Sequence, residues 1–186
     1  MRASSSPSVI RYRGGFSLLE LLVFIVIVSI ALLGLVGLFA TNVRGSADVL
    51  LRQQAIEVAH AYMETVKNRK WNHNTPAGGG CVNTGSGSCP TGPAAAAIGN
   101  DGQARAEYDD IDDYNGIDEA PMTLDPGGNL VPVPGLSNYR VQVSVSQPAA
   151  GSALGGVPAA DQRLITVTVT APDGQRIVLN GFRVNF

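Results

Sequence analysis

An apolar run close to the N-terminus constrains this chain more than any other feature of its sequence. Residues 21–39 form a stretch of 19 residues, of which only Ser29, Gly34 and Gly37 are not strongly apolar. About 20 such residues let a helix cross the hydrocarbon core of a bilayer, whereas the apolar core of a signal peptide has roughly 7–15. The sequence therefore predicts one membrane-spanning helix.

The segment in front of this run is basic and ends in two glycines. Residues 1–15 contain three arginines and no acidic residue, so the formal net charge of −2 becomes −5 (−2 − 3) without them. The positive-inside rule keeps such a segment in the cytoplasm and sends the C-terminal part outward. The mildly acidic remainder has no cluster of Lys and Arg, so no nucleic-acid partner is indicated.

Glu20 is an acidic residue at the start of this apolar segment. A charge at the centre of a bilayer costs about 2.5–3.5 kcal/mol on insertion scales. One interpretation is that Glu20 lies near the helix end, where the cost falls and the helix N-terminus favours an acid. The other needs a positive partner. Cleavage after Gly15 would give Phe16 a free ammonium on the same helical face as Glu20, and a neighbouring subunit's ammonium would neutralise Glu20 in lipid.

The stretch R-G-G-F-S-L-L-E-L-L-V resembles the processing motif of the type IV pilin and type II secretion pseudopilin superfamily. The resemblance implies cleavage by a prepilin peptidase between Gly15 and Phe16, N-methylation of Phe16, and use of Glu20 in subunit docking. Other pilin subunits, an inner-membrane pilus assembly platform and, before assembly, the lipid bilayer are the implied partners. The implied location is the bacterial inner membrane, with a periplasmic C-terminal domain, and then an extracellular or periplasmic fibre.

The apolar run continues into an amphipathic pattern without an obvious stop. Apolar residues recur at steps of three, four or seven as far as Val66, charged residues lie between them, and no proline occurs between Pro7 and Pro76. We expect one helix over residues 16–69, apolar all round in its first half and one-sided in its second. Gly34, Gly37 and Gly45 leave open a bend, a melting point or close helix packing.

Two cysteines lie in the Gly-rich loop PAGGGCVNTGSGSCPTGP, residues 76–93. A Cys81–Cys89 disulfide would close nine residues and would stabilise the fold by about 2–3 kcal/mol in the chain-entropy model. The alternative is a metal site that combines the cysteines with His60 or His73. Because these spacings match no zinc template, we expect the disulfide and no metal.

Residues 107–119, EYDDIDDYNGIDE, hold seven acids and no base. The pattern favours a solvated turn in which Asp and Asn cap backbone groups. An EF-hand fails, because Gly116 as its sixth residue would place Ile111 first and Met122 last. A calcium site of another kind stays open, since some pseudopilins bind calcium through loop carboxylates and carbonyls. Its candidate ligands are Asp109, Asp110, Asp112, Asp113, Asn115 and Asp118.

The C-terminal part has the alternation of half-buried β-strands. Apolar residues alternate with polar ones over residues 139–145 and 164–170, and Pro172-Asp173-Gly174 supplies a turn. A last strand is expected over residues 175–186, with Phe182, Val184 and Phe186 on one face. The amphipathic half of the long helix is the available cover. The sequence thus predicts an α+β, pilin-like fold with a long N-terminal helix on a small antiparallel sheet.

These patterns divide the chain into five segments. We expect a cleaved cytoplasmic leader (1–15), a transmembrane or polymerisation half-helix (16–40) and an amphipathic half-helix (41–70). An irregular region with the disulfide and acidic loops (71–136) and the antiparallel sheet (137–186) follow.

Within the superfamily, the chain is most similar to minor pilins of the mannose-sensitive haemagglutinin (MSHA) system, of the MshD type. The N-R-K-W run (68–71), the cysteine loop and D-D-I-D-D-Y-N-G (109–116) carry this resemblance, while the residues 28–38 also look like the PilV and pseudopilin I groups. The resemblance implies a minor pilin or pseudopilin and not an enzyme. A membrane-anchored periplasmic binding or adhesion domain is the alternative. A hydrolase using His60 or His73 lacks any accompanying catalytic motif.

Overall fold

The computed structural model of the chain describes residue 15, residues 17–149 and residues 151–186, with the backbone alone for residues 38–47. Most of the leader and Phe16 lie outside the described residues. The chain divides at the Ser46–Ala47 boundary into two compact units, and each is described by itself below.

The long N-terminal helix, α1, covers Leu18–Lys67. It confirms the predicted helix within two residues at either end and includes the positions of Gly34, Gly37 and Gly45. Its C-terminal turn tightens, because the backbone N–H of Arg69 donates to the carbonyl of Val66 at 3.1 Å. Such three-residue bonds satisfy carbonyls that the end of a helix would otherwise leave unpaired.

An antiparallel four-stranded sheet lies in the unit Ala47–Phe186. Its strands are β1 (Ile117–Glu119), β4 (Arg140–Ser146), β5 (Gln162–Thr170) and β6 (Arg176–Val184), in the order β1-β4-β5-β6. Two further strands, β2 (Met122–Leu124) and β3 (Leu130–Pro132), form a separate antiparallel pair. A long apolar helix followed by an antiparallel sheet is the α+β, pilin-like fold that the sequence predicts.

The core lies between the C-terminal part of α1 and one face of the sheet. The predicted alternation places valines and isoleucines of β4 and β5 inward: the buried residues are Val141, Val143, Val145, Ile165, Val167 and Val169. The one-sided half of α1 supplies Ala55, Val58, Ala59, Tyr62, Met63 and Val66 to the same cluster. Each large side chain buried in this way stabilises the fold by about 1.5–3 kcal/mol.

One face of β6 packs on the core, and Phe182 lies on the opposite face. Ile177 and Leu179 pack against the core, and a Cβ at Gly181 would lie 2.7 Å from Sδ of Met63. Phe182 and Val184 lie on the other face, and Phe186, beyond the strand end, is 81% exposed. The register decides this, because Gly181 pairs with Ile165 and Leu179 with Val167, and opposite residues share a face.

Candidate functional site

The predicted processing segment lies immediately before α1. Gly15 is exposed, and nothing lies within 4 Å of the position that a Cβ would take there. The backbone N–H of Leu21 donates to the carbonyl of Ser17 at 3.1 Å, which forms the first turn of the helix. Phe16, the predicted new N-terminus and methylation site, is outside the described residues.

Glu20 lies in the first turn of α1, and its side chain is exposed. An acid in this turn is favoured by the partial positive charge of the helix N-terminus. Its neighbours Leu18 and Leu19 are 82% and 71% exposed. Glu20 therefore stands on a helix surface where a second chain has access to it.

The first part of α1 is apolar and uncovered. Within the described residues, one helix is long and apolar enough to cross a membrane, over Leu18–Gly37, and none of these 20 residues is buried. The hydroxyl of Ser29 in this segment has its hydrogen-bond partner within the helix, because Ser29 Oγ donates to the carbonyl of Ile25 at 2.7 Å. A helix whose polar groups bond internally is one of the few structures that hydrocarbon tolerates.

The cysteine loop is held by a disulfide and by hydrogen bonds to Asp161 and Asn185. A disulfide joins Cys81 and Cys89. The side chain of Asn185 accepts from the N–H of Val82 at 2.8 Å and donates to its carbonyl at 2.7 Å. Asp161 accepts from the hydroxyl of Thr84 at 2.5 Å. These bonds hold a Gly-rich loop that its composition alone would leave floppy.

Asp161 is the acidic anchor of this loop, and nothing in the sequence singled it out. Burial would raise the pKa of Asp161, but hydrogen bonds from Ser86, Ser88 and Thr84, together with one from Asn185, outweigh it and lower the pKa to about 2. The carboxylate is therefore held in its charged form by donors alone.

For residues 107–119 the sequence favours a solvated turn in which Asp and Asn cap backbone groups. The structure confirms the capping, but the expected solvation is wrong. Asp110, Asp112 and Asp113 are buried, and so are Ile111 and Tyr114 between and after them. An arginine from the sheet pairs with Asp112, and backbone N–H groups bond one oxygen of Asp110 and one of Asp113, while the other oxygen of each has no partner. Buried charges need such partners.

Asp112 forms a buried ion pair with Arg163 of β5. Arg163 Nε and Nη2 lie 2.6 and 3.1 Å from the two oxygens of Asp112, and Asn72 Nδ2 donates to Oδ2 at 2.7 Å. The guanidinium also lies 4.0 Å from the centroid of the Trp71 ring. This network joins the end of α1, the acidic loop and the sheet, and it occupies both oxygens of Asp112.

Two further calcium candidates also have structural partners elsewhere. Asn115 Oδ1 accepts from the N–H of Val145 at 3.0 Å. Asp118 on β1 pairs with Arg140 and Gln142 on β4, and the hydrogen bond from Arg140 lowers the pKa of Asp118. Asp112, Asn115 and Asp118 therefore do not join the other candidates in one ligand set.

Asp109, Asp110 and Asp113 do come together, with Asp101 and His73 beside them. The side chains of Asp101, Asp110 and Asp113 each offer an oxygen within 4.8 Å of the others, and His73, Asp109 and Asp110 form an overlapping group. Burial, and then repulsion from Asp113, raises the pKa of Asp110 to about 6. His60, by contrast, is exposed on α1.

Comparison with known families gives one match, and it falls on the N-terminal segment. Residues 10–36 match the prokaryotic N-terminal methylation motif. No curated protein and no solved structure matches the chain significantly. The motif implies processing by prepilin peptidase and association with other pilin subunits, and it is typical of structural subunits. With the apolar helix, it also indicates membrane anchoring.

The match begins in the basic leader, includes Gly15 and Glu20, and ends within the exposed apolar part of α1. The antiparallel sheet that the pilin resemblance implies follows this segment later in the sequence. In its N-terminal methylation motif and in its α+β fold, the chain is similar to type IV pilins and pseudopilins.

Proposed function

We propose that the chain is a minor pilin or pseudopilin subunit, cleaved by a prepilin peptidase between Gly15 and Phe16 and then N-methylated on Phe16. The observation that carries the proposal is the methylation motif over residues 10–36, which overlaps a helix segment, Leu18–Gly37, in which no residue is buried. The motif frees an N-terminus, and the apolar helix has no buried residue among those that the structure describes; both features support insertion of this segment among neighbouring helices.

Cleavage has a chemical purpose in this proposal, because it creates the cation that Glu20 needs. Glu20 stands exposed in the first turn of α1. In lipid its charge is costly. The ammonium of Phe16 on a neighbouring subunit would pair with it as the apolar helices pack. Before assembly, the lipid bilayer covers the same helix surface.

The proposed topology is a single pass through the bacterial inner membrane with a cytoplasmic leader and a periplasmic unit. The basic leader supports the cytoplasmic N-terminus, and the Cys81–Cys89 disulfide suits an oxidising periplasm. We place the membrane and polymerisation segment at residues 16–40, the amphipathic half-helix at 41–70, the irregular region at 71–136 and the sheet at 137–186. The inner-membrane assembly platform is the partner that would extract the subunit into a fibre.

The subfamily that we propose is the MSHA type, with MshD-like minor pilins as the model. Residues 68–71, the cysteine loop and residues 109–116 support it, since these are the stretches in which the sequence resembles that group. In the structure, Asn72 donates to Asp112, and Trp71 stacks on Arg163, which pairs with Asp112.

One experiment tests both the cut and the docking role. The chain is co-expressed with a prepilin peptidase and a compatible pilus assembly system, and the mature N-terminus is determined by mass spectrometry. We expect N-methylated Phe16. An intact leader, or cleavage after the apolar run, would instead support a membrane-anchored periplasmic domain that does not polymerise.

The same system separates docking from processing through Glu20. We expect Glu20→Ala to leave insertion and cleavage intact but to lower incorporation into sheared fibres by about tenfold or more, since an unpaired ammonium would remain in the apolar interior. Glu64→Ala, an exposed acid on the same helix, is the matched control and should assemble normally. Normal incorporation of Glu20→Ala would defeat the docking role.

A further inference from the structure

Two side-chain nitrogen donors beyond the end of α1 are buried and have no hydrogen-bond partner. They are Nε1 of Trp71 and Nε of Arg183. Trp71 is only 4% exposed, so its indole N–H is withdrawn from water. A buried donor without an acceptor costs free energy, and the cost is larger when the group is charged. Both donors therefore call for an acceptor that the described residues do not supply.

Both residues line the same pocket of the unit Ala47–Phe186. The pocket has a volume of about 280 Å³, and its lining comes from residues 68–71 after α1, residues 75–80 before and at the start of the cysteine loop, and residues 183–186 at the end of β6. Three lining residues are basic, namely Arg69, Lys70 and Arg183, and none is acidic. The pocket thus combines donors and positive charge in a chain whose net charge is −2.

The register of the sheet places a second arginine beside Arg183. Arg163 of β5 pairs with Arg183 of β6, and residues directly opposite in an antiparallel sheet share a face, where like charges repel. Asp112 neutralises Arg163 with both of its oxygens. Within the part of the chain that the structure describes, no ion pair involves Arg183. One positive charge of this arginine pair is therefore uncompensated.

The other two basic residues of the pocket already have partners. Lys70 Nζ lies 2.6 Å from a carboxylate oxygen of Asp109. Arg69 Nε donates to the hydroxyl of Tyr114 at 3.2 Å. Arg183 is therefore the residue of the pocket whose charge calls for a ligand.

We propose that this pocket binds a tetrahedral oxyanion of the phosphate or sulfate type, which accepts from Trp71 Nε1 and Arg183 Nε. Arginine is the favoured residue for such groups, because its planar fork donates parallel hydrogen bonds to two oxygens. The donors stand on two elements, and a tetrahedral group offers oxygens in more directions than a planar carboxylate does. The ligand is a free ion or the terminal group of a monoester. Bound there, it would fasten the end of β6 to the exit of α1.

The chain carries its own reporter for this site. Trp71 is its single tryptophan, and its N–H would bond the anion itself. The full chain in detergent micelles is dialysed into chloride buffer and titrated with sodium phosphate at constant ionic strength, while Trp71 emission and the heat of binding are recorded. Constant ionic strength separates a bound ion from general screening. We expect saturable binding at one site and a Tm that rises with phosphate concentration.

Substitutions of the two donor residues assign the contacts. We expect Arg183→Gln to weaken phosphate binding by about tenfold or more, because a hydrogen bond to a charged group contributes at least this factor. Arg176→Gln, exposed on the same strand, is the matched control and should bind as the parent chain does. Trp71→Phe keeps an aromatic ring but loses the indole N–H, and calorimetry should show binding weakened about threefold or more.

Arg183→Lys decides the matter if Arg183→Gln does not fold. It keeps the positive charge but loses the Nε donor and the planar fork, so we expect phosphate affinity between those of the parent and Arg183→Gln. Glycerol phosphate then identifies the form of the ligand. Binding at least as tight as that of inorganic phosphate would indicate a monoester, and weaker binding would indicate a free ion; either result supports the site.

Three results would overturn the proposal. The first is a response to phosphate that does not differ from the response to chloride. The second is parental phosphate affinity in both Arg183→Lys and Trp71→Phe. The third is binding of acetate without binding of phosphate, which would assign the pocket to a planar carboxylate instead. None of these bears on fibre assembly, because the titration uses the unassembled chain.

Discussion

At the scale of single residues, the fold depends on Asp161, an acid that no sequence pattern identified. Asp161 is buried, and it accepts from Thr84 at 2.5 Å and from Asn185 at 3.1 Å. Since Asn185 also bonds both backbone groups of Val82, one carboxylate joins the disulfide loop to the last residues of the chain.

Asp161 gives the stability a specific dependence on pH. Its folded pKa of about 2 lies below the ordinary value of 3.8, so its contribution is complete above about pH 5 and is lost as the pH falls from about 4 towards 2. We expect Asp161→Asn to cost about 1–2 kcal/mol at pH 7. Urea unfolding followed by Trp71 fluorescence should show the parent and variant curves converging towards pH 2. A constant difference across this range would contradict the assignment.

At the scale of secondary-structure elements, α1 and β6 approach each other closely at Gly181. A Cβ at this position would lie 2.7 Å from Sδ and 3.3 Å from Cε of Met63. No real pair of atoms keeps the first distance, so a side chain at position 181 requires the helix, the strand or Met63 to shift. The glycine is needed for space and not for a special backbone angle.

We therefore expect Gly181→Ala to destabilise the fold by about 1 kcal/mol, the low end of overpacking costs, because the atoms it meets belong to the flexible side chains of Met63 and Lys67. Met63→Ala in the same chain should reduce that penalty, because it removes the atoms that the new Cβ meets, and urea unfolding of all four chains measures the coupling. Gly155→Ala is the matched control, since nothing lies within 4 Å of its Cβ position. Equal costs for Gly181→Ala with and without Met63 would refute the contact.

The sequence predicts the elements in which a periodic pattern of apolar residues continues over many residues, and it misses the short elements. α1 and the three long strands β4, β5 and β6 follow from periodicity sustained over seven residues or more. β1, β2 and β3 have three residues each, too few to show an alternation. The buried face of β6 was also beyond reach, because the alternation places Phe182 and Val184 on one face without showing which face is buried, and the register with β5 decides it.

Among the candidate site residues, the sequence likewise identifies those that lie close together in the chain and misses those that only the fold brings together. Gly15, Phe16 and Glu20 lie within six residues, so a local motif identifies them. Arg163 and Asp112 are 51 residues apart, and no local pattern pairs them. Without knowledge of that partner, the local sequence of an acidic stretch predicts a solvated loop. Asp101 and His73 also reach the cluster only through the fold.

At the scale of the whole molecule, the chain combines a unit with a core and a helix segment without one. Every buried hydrophobic residue of the described chain has a number of 55 or higher, within the unit Ala47–Phe186. None of the residues Leu18–Gly37 is buried. Among the described residues, the apolar segment therefore contributes no buried side chain to the core.

We therefore expect the unit Ala47–Phe186 to fold without the residues that precede it. A truncated chain beginning at Ala47 keeps the complete described core, the disulfide and the Asp112–Arg163 pair. We expect it to be a monomer in water by analytical ultracentrifugation, with the buried Trp71 emission of the full chain and a cooperative urea transition. The full chain in the same buffer should associate or precipitate, because an exposed apolar surface of 20 helical residues is covered only by contact with other molecules. An unfolded truncated chain would show instead that residues before Ala47 contribute to its stability.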